Sequence, residues 1–98
     1  MKNKNIVEYL LDCGVKTNLK GFQYLYEAIE MTIENGYKLP KITVVIYPTI
    51  AKNNGDTNIR VERAIRHSIR NLHQKFRNMP NGEFISLAAI NIKFGRKN

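Results

Sequence analysis

Residues 48–66 have the sequence PTIAKNNGDTNIRVERAIR, and the spacing within this segment predicts the architecture of the chain. The segment carries the branched Ile50 and the small Ala51, and Gly55 follows four residues after the alanine. A small residue lets a second helix cross closely, and glycine adopts the positive φ of a tight turn without steric cost. This pattern predicts a helix-turn-helix over about residues 48–76.

The helix after this turn is predicted to be amphipathic. Thr57 is a suitable N-cap, and the helix is expected to extend over about residues 57–76. Its apolar face carries Val61, Ile65, Ser68, Ile69, Leu72 and Phe76. Its opposite face carries Arg63, Arg66, His67 and Arg70, with Arg60 at the edge. Because guanidinium groups bind guanine edges as well as phosphates, such a helix suits a DNA major groove, whereas a merely solvated basic face is the alternative.

The charge of the chain points to the same half of the molecule. Sixteen Lys and Arg residues against eight Asp and Glu residues give a formal net charge of +8. Six basic and five acidic residues leave residues 1–49 at +1, whereas ten basic and three acidic residues bring residues 50–98 to +7. A polyanion is therefore the expected partner, with nucleic acid first and an anionic membrane surface second.

Two residues of the basic helix have alternative roles. Glu62 can accept a hydrogen bond from cytosine N4, and it can also pair with Arg66 one turn later and position that arginine. Ile59 lies near the basic face, where it can contact a thymine methyl group or pack against the preceding helix. For Glu62 the two roles are compatible, and for Ile59 both stay open.

Helical periodicity continues on both sides of the helix-turn-helix. Apolar residues recur at helical spacing over residues 4–12 and in a longer helix, which Thr17 or Asn18 can cap and the Asn-Gly pair at residues 35–36 ends. Gly21 lies in the first turn of that longer helix and predicts a close approach of another backbone.

Two segments are ambiguous between helix and strand. Residues 42–47 are β-branched enough for a strand, but Pro48 excludes a central strand, and the apolar positions, which include Val45, fit one helical face. We expect a helix there, with a kink or break at the proline. Residues 84–92 predict a last helix, although residues 90–94 alternate like a short strand.

The length of 98 residues corresponds to one small domain and excludes a large enzyme. With 43% apolar and 24% charged residues, the chain has the balance of a globular protein. We expect a compact all-α domain of five to six helices over residues 1–98, with no receiver domain in this chain and a frayed tail at residues 95–98.

No catalytic, metal or cofactor site is predicted. His67 and His73 lie on different helix faces and Cys13 is remote from both in the sequence, so no metal is expected. The acidic residues around Glu27 have no nucleophile motif nearby, so we expect no enzyme and no small-molecule substrate. One cysteine, and apolar runs far below the ~20 residues of a membrane span, predict no membrane partner and a cytoplasmic, nucleoid-associated location.

The motifs YPTIAK at residues 47–52 and RVERAIRH at residues 60–67 closely resemble a known family. It is the DNA-binding effector domain of the master response regulator that starts sporulation in endospore-forming Firmicutes. The sequence LKGFQYLYEAIEM at residues 19–31 is similar to an earlier helix of the same family. The resemblance covers about residues 6–73 closely and residues 82–92 loosely, and it implies an all-helical transcription-factor domain.

The resemblance also implies a partner and a set of contacts. The partner is double-stranded DNA with a box related to TGTCGAA, on which two copies lie head-to-tail at tandem sites. The residues that match the family's base-reading positions are Glu62, Arg63 and Arg66. Those expected at or beside the DNA backbone are Lys52, Arg60 and His67, which match family positions, together with Asn58, Ile59 and Arg70 around them.

Two departures from the family pattern bear on function. Ile59 stands where the family usually has a serine, so a hydroxyl able to bond phosphate is lost. Residues 77–81 replace a longer connection, which includes a short helix, between the recognition helix and the last helix. The chain is either an effector domain separated from its receiver or a stand-alone relative that binds without phosphorylation control.

Two other function classes fit the composition. A protein-interaction module or inhibitor derived from this domain would act without specific DNA reading, and would keep its activity in Arg63→Ala and Arg66→Ala variants. A generic basic binder of RNA or membranes would show steep salt dependence but little preference among sequences. The order of the basic residues on one helix after a turn favours specific DNA binding over both.

Overall fold

The computed structural model describes residues 3–95, in which every regular element is helical. The helices are α1 (Lys4–Cys13), α2 (Lys20–Glu34), α3 (Tyr47–Asn54), α4 (Asn58–Arg70), α5 (Gln74–Arg77) and α6 (Asn81–Lys93), and a π-helical turn at Ile42–Ile46 leads into α3. The all-α class is confirmed, and the last segment is a helix rather than a strand. Of the predicted frayed tail, residues 96–98 lie outside the described residues. No helix between residues 3 and 95 is long and apolar enough to cross a membrane.

The crossing of α2 over α4 organises the core. Gly21 in the first turn of α2 lies against Ala64 and Ser68 of α4. A Cβ atom on Gly21 would lie 2.5 Å from the Ala64 carbonyl oxygen and would overlap the Ser68 hydroxyl. The predicted close backbone approach at Gly21 is therefore confirmed. The buried Ser68 hydroxyl has no hydrogen-bond partner among the described residues, so the two helices meet here through packing alone.

The apolar face of α4 is buried in a core that it shares with α1, α2 and α6. Val61 and Ile65 are fully buried, and Ile69 is 1% exposed. The other fully buried leucine and isoleucine side chains of this core are Ile6, Leu10, Leu25, Ile29, Ile46, Ile50 and Ile85. Burial of this face fixes which face of α4 remains in contact with solvent.

The helix, turn and second helix predicted around Gly55 are present. α3 ends at Asn54 and is followed by its C-cap Gly55, which has φ +62°, and Ala51 of α3 is buried. Thr57 caps α4, since its hydroxyl accepts a hydrogen bond from the Arg60 amide at 3.2 Å. The α3–turn–α4 unit therefore spans residues 47–70.

The predicted extension of the second helix to residue 76 is wrong. α4 ends at Arg70, and the next amide that departs from the helical pattern is that of Leu72, which bonds the Ile69 carbonyl at 3.0 Å, three residues back rather than four. The His67 carbonyl accepts both the backbone amide of Asn71, at 3.3 Å, and its side-chain amide, at 2.9 Å, and these two bonds close the last turn. The chain turns and forms the short α5 instead, so Phe76 reaches the core from α5. A short helix therefore precedes α6. The sequence had predicted that residues 77–81 replace the short helix that the family has at this point.

Two expectations near the other helices are also wrong. The N-cap of α2 is Leu19 rather than Thr17 or Asn18, and it makes no side-chain capping bond. Val45, predicted to face the core, is 41% exposed. The segment before α3 widens into a π-helical turn, in which the Ile46 amide bonds the Lys41 carbonyl at 3.2 Å. The π-helical turn changes to α-helix beside Pro48. Proline has no N–H with which to continue the helical hydrogen bonds, and a kink was expected at this residue.

Replacing Gly21 by alanine should destabilise the fold by about 1–3 kcal/mol, because the new methyl group overlaps α4 backbone that cannot move without disturbing the core. Gly82→Ala is the matched control, since its Cβ would meet only the ends of two side chains, Leu39 at 3.1 Å and Ile42 at 3.8 Å. Chemical denaturation of both variants measures the difference. Equal stabilities for the two variants would contradict a close α2–α4 approach.

Candidate nucleic-acid interface

The basic face of α4 points to solvent. Arg63, His67 and Arg70 are exposed, and the side chain of Arg66 is 43% exposed. These positions are opposite Val61, Ile65 and Ile69 of the buried face, as the periodicity predicted. The helix therefore presents its guanidinium groups from a rigid, packed support.

A shallow groove brings several of the predicted site residues together. It lies between the π-helical turn and α4, and is lined by Thr43, Tyr47, Asn58, Ile59, Glu62, Arg63 and Arg66. The three residues expected to read bases thus share one surface with Asn58 and Ile59. Ile59 is 64% exposed, so packing against the preceding helix does not bury it.

Glu62 and Arg66 form an ion pair on this surface. A carboxylate oxygen of Glu62 lies 3.2 Å from a guanidinium nitrogen of Arg66, one helical turn further on. The pairing role considered for Glu62 is therefore present. An i,i+4 pair at the surface is worth only about 0.3–0.5 kcal/mol, so both side chains are free to exchange this contact for others.

The remaining predicted residues lie around this groove rather than in it. Lys52 is exposed in the last turn of α3, and Arg60 is exposed in the first turn of α4. The His67 ring nitrogen Nε2 is 3.2 Å from the Asn71 side-chain amide. Arg70 lies on the other side of Arg66, in a second depression.

Glu27 of α2 fixes the turn that precedes α4. One of its carboxylate oxygens accepts a hydrogen bond from Asn54 at 2.8 Å, and the other accepts one from Asn53 at 3.3 Å. Gln23, one turn earlier on α2, donates to the same carboxylate at 2.9 Å. The Glu27 carboxylate therefore has three side-chain amides as its hydrogen-bond donors. It ties the end of α3 to α2.

Tyr24 and Asp56 form a second tie at the same turn. The Tyr24 hydroxyl donates to the Asp56 carboxylate at 2.6 Å, and the Thr57 amide donates to its other oxygen at 2.9 Å. The bond from Tyr24, followed by that from Thr57, lowers the pKa of Asp56. Burial, together with the Asp56 bond and charge, raises the pKa of Tyr24 to about 12. The start of α4 is held in place by this pair.

Sequence reasoning missed these ties because they join residues 26 to 32 positions apart. Contacts of this kind leave no periodic pattern of residues in the sequence. The one available signal was Asp56, an acidic residue directly before the N-cap in an otherwise basic half of the chain.

These features together define a class of protein. A helix, a glycine turn and a capped basic helix, braced by a third helix, form an all-helical domain with the helix-turn-helix arrangement that many DNA-binding domains share. Residues 6–79 match the family described as "Sporulation initiation factor Spo0A C terminal", and the chain belongs to this family. It is, at the family level, a sporulation-related DNA-binding transcription regulator of the response-regulator effector type rather than a member of an enzyme family. The resemblance found in the sequence is confirmed, and α6 lies beyond the matched residues.

Replacing Tyr24 by phenylalanine should destabilise the protein at neutral pH and change how its stability depends on pH. A folded-state pKa of about 12, above the ordinary 10.0, gives stability that is complete below pH 10 and lost as pH rises toward 12. The lowered pKa of Asp56 gives stability that is present above its ordinary 3.8 and lost as pH falls through the lowered value.

The difference in unfolding free energy between wild type and Tyr24→Phe should therefore shrink at both extremes of pH. Denaturation at a series of pH values measures it. Tyr37→Phe is the control, because the Tyr37 ring contacts Lys93 instead of a carboxylate. A difference for Tyr24→Phe that stays constant over the whole range would contradict the coupling.

Proposed function

We propose that this chain is a sequence-specific double-stranded DNA-binding transcription regulator whose α4 enters the major groove. The observation that carries the proposal is the shared surface of Glu62, Arg63 and Arg66 on the exposed face of α4. The opposite face is fully buried, so the three side chains extend from a helix that cannot rotate. A preorganised helix of this kind is what discrimination between base pairs requires.

Each of the three side chains has the chemistry for one type of base contact. Arg63 and Arg66 present the two-pronged donor that matches guanine O6 and N7, and Glu62 accepts from cytosine N4. In the free protein Arg66 and Glu62 neutralise each other at 3.2 Å. On DNA the two side chains leave this weak ion pair and contact bases in adjacent G·C pairs, Arg66 a guanine and Glu62 a cytosine. A box related to TGTCGAA offers such a pair of neighbouring bases in its CG step.

The surrounding residues are proposed to hold the protein on the DNA backbone. Lys52 approaches from the end of α3, and Arg60, His67 and Arg70 flank the reading residues on α4. Asn58 and Ile59 lie at the start of α4 in the same groove as the reading residues. Phosphate contacts of this kind set position and affinity, whereas the base contacts set specificity.

The proposal extends to the setting in which the protein works. We propose that residues 1–98 act as one DNA-binding domain, that two copies bind head-to-tail on tandem boxes, and that the protein acts on DNA in the cytoplasm. The net charge of +7 in residues 50–98 supports a polyanionic partner for this half of the chain.

Titration of a duplex with a TGTCGAA-type box and of a scrambled duplex, over a series of salt concentrations, tests the proposal. We expect the box to bind at least ~10³-fold more tightly at physiological salt, because specific complexes typically exceed non-specific ones by that margin. Equal binding of both duplexes at every salt concentration would refute sequence-specific recognition and leave a generic polyanion binder.

Arg66→Ala should weaken binding to the box by about 1–3 kcal/mol and flatten discrimination at one base pair. Arg60→Ala is the matched control, because it removes the same side chain from the same helix at a proposed backbone position. It should weaken both duplexes alike and lower the salt slope by about 1. An Arg66→Ala protein that keeps full preference at every base pair would remove Arg66 from base reading.

A further inference from the structure

A cleft lies beside the C-terminal half of α4, next to the groove proposed to read bases. Its volume is about 390 Å³, and its walls come from α4, the end of α5, the connection at residues 78–80 and the first turn of α6. Three arginines line it: Arg66 and Arg70 of α4, and Arg77 of α5. Arg77 belongs to none of the positions that periodicity or family resemblance assigned to DNA binding.

Arg77 is held at this cleft by the residue before it. Phe76 is 2% exposed, and its ring packs edge-on against the Phe84 ring of α6, with 5.6 Å between centroids and an interplanar angle of 89°. The buried phenylalanine fixes α5 on α6 and leaves Arg77 at the surface. The wall formed by the first turn of α6 is also fixed, because Asn81 donates to the Tyr47 hydroxyl at 2.9 Å and to the Glu62 carbonyl at 3.3 Å.

The positive charge of this cleft is only partly compensated. Glu62 lines the cleft and pairs with Arg66. Within residues 3–95, no carboxylate lies within 4.0 Å of the side-chain nitrogens of Arg70 or Arg77. Two guanidinium groups around one cleft repel each other, and an anion between them relieves that repulsion. One guanidinium group donates two parallel hydrogen bonds to phosphate oxygens. A phosphate has enough oxygens for two such groups, so it is the anion that best fits this pair of arginines.

We propose that this cleft binds a phosphate group through Arg70 and Arg77, and that the phosphate belongs to the DNA backbone beside the bases that α4 reads. The choice of DNA as the source rests on the proposed function. Arg70 lies one helical turn, about 6 Å, beyond Arg66 on the same exposed face, so the cleft continues the reading surface along α4. Arg77 thereby extends the contact with the backbone past the end of the recognition helix.

Salt dependence of DNA binding by Arg77→Gln tests this inference. Loss of one phosphate contact lowers the slope of log K against log salt by about 0.9, which amounts to roughly a 3.5-fold change in relative affinity between 50 and 200 mM salt. The expected loss is the same on box and scrambled duplexes, and the ratio of the two affinities stays at the wild-type value. Arg77→Lys, which keeps the charge, should retain most of the slope.

Lys93→Gln is the control for charge removal alone, because Lys93 lies at the far end of α6 from the cleft. It should keep the wild-type slope. A second measurement follows the side-chain NMR signals of Arg70 and Arg77 while inorganic phosphate is added to the free protein. Saturable shifts of both signals, absent in Arg77→Gln, are expected from a phosphate site.

A wild-type slope for Arg77→Gln on both duplexes would overturn the assignment to DNA. Together with saturable phosphate shifts, that result would instead identify a site for a free phosphate compound. Without such shifts, no phosphate site exists there. A wild-type protein that does not distinguish the two duplexes would refute the proposed base reading, while the slope comparison would still decide the role of Arg77.

Discussion

The backbone contact between α2 and α4 at Gly21 sets the position of α4, the helix proposed to read DNA. Because residue 21 has no Cβ, the first turn of α2 approaches Ala64 and Ser68 closely enough to bury the whole apolar face of α4. Once that face is buried, the four arginines of α4 have only the solvent side available. A side chain at residue 21 would lift α2 from α4 and disturb both the core and the direction of the basic face. The orientation of the basic face is therefore a consequence of packing rather than of charge.

Helix α2 also controls the turn through polar contacts. Glu27 holds Asn53 and Asn54, and Tyr24 holds Asp56, so both ends of the turn between α3 and α4 are attached to one helix. These bonds place acidic groups beside the basic half without neutralising its exposed face. A single helix thus provides the close contact with α4, the ties to the turn and much of the core.

The region after α4 brings a further arginine beside the basic helix. α4 ends at Arg70, and Phe76 re-enters the core against Phe84 six residues later. Arg77 then faces the same cleft as Arg70, although the two residues belong to different helices. A continuous helix to residue 76 would have carried Arg77 away along the axis of α4. The family match ends at residue 79, within the connection between α5 and α6.

The amino-acid sequence alone determined the helical class, the glycine turn, the Thr57 cap and the division of α4 into apolar and basic faces. These features depend on local spacing, and local spacing is visible along one chain. Three other features depended on the tertiary structure: the end of α4 at Arg70, the ties from α2 to the turn, and the arginine cleft. The first is a change to three-residue backbone hydrogen bonding at Leu72, after which Phe76 packs against Phe84, and the other two join residues distant in the sequence. No period along the chain records which distant side chains folding brings into contact.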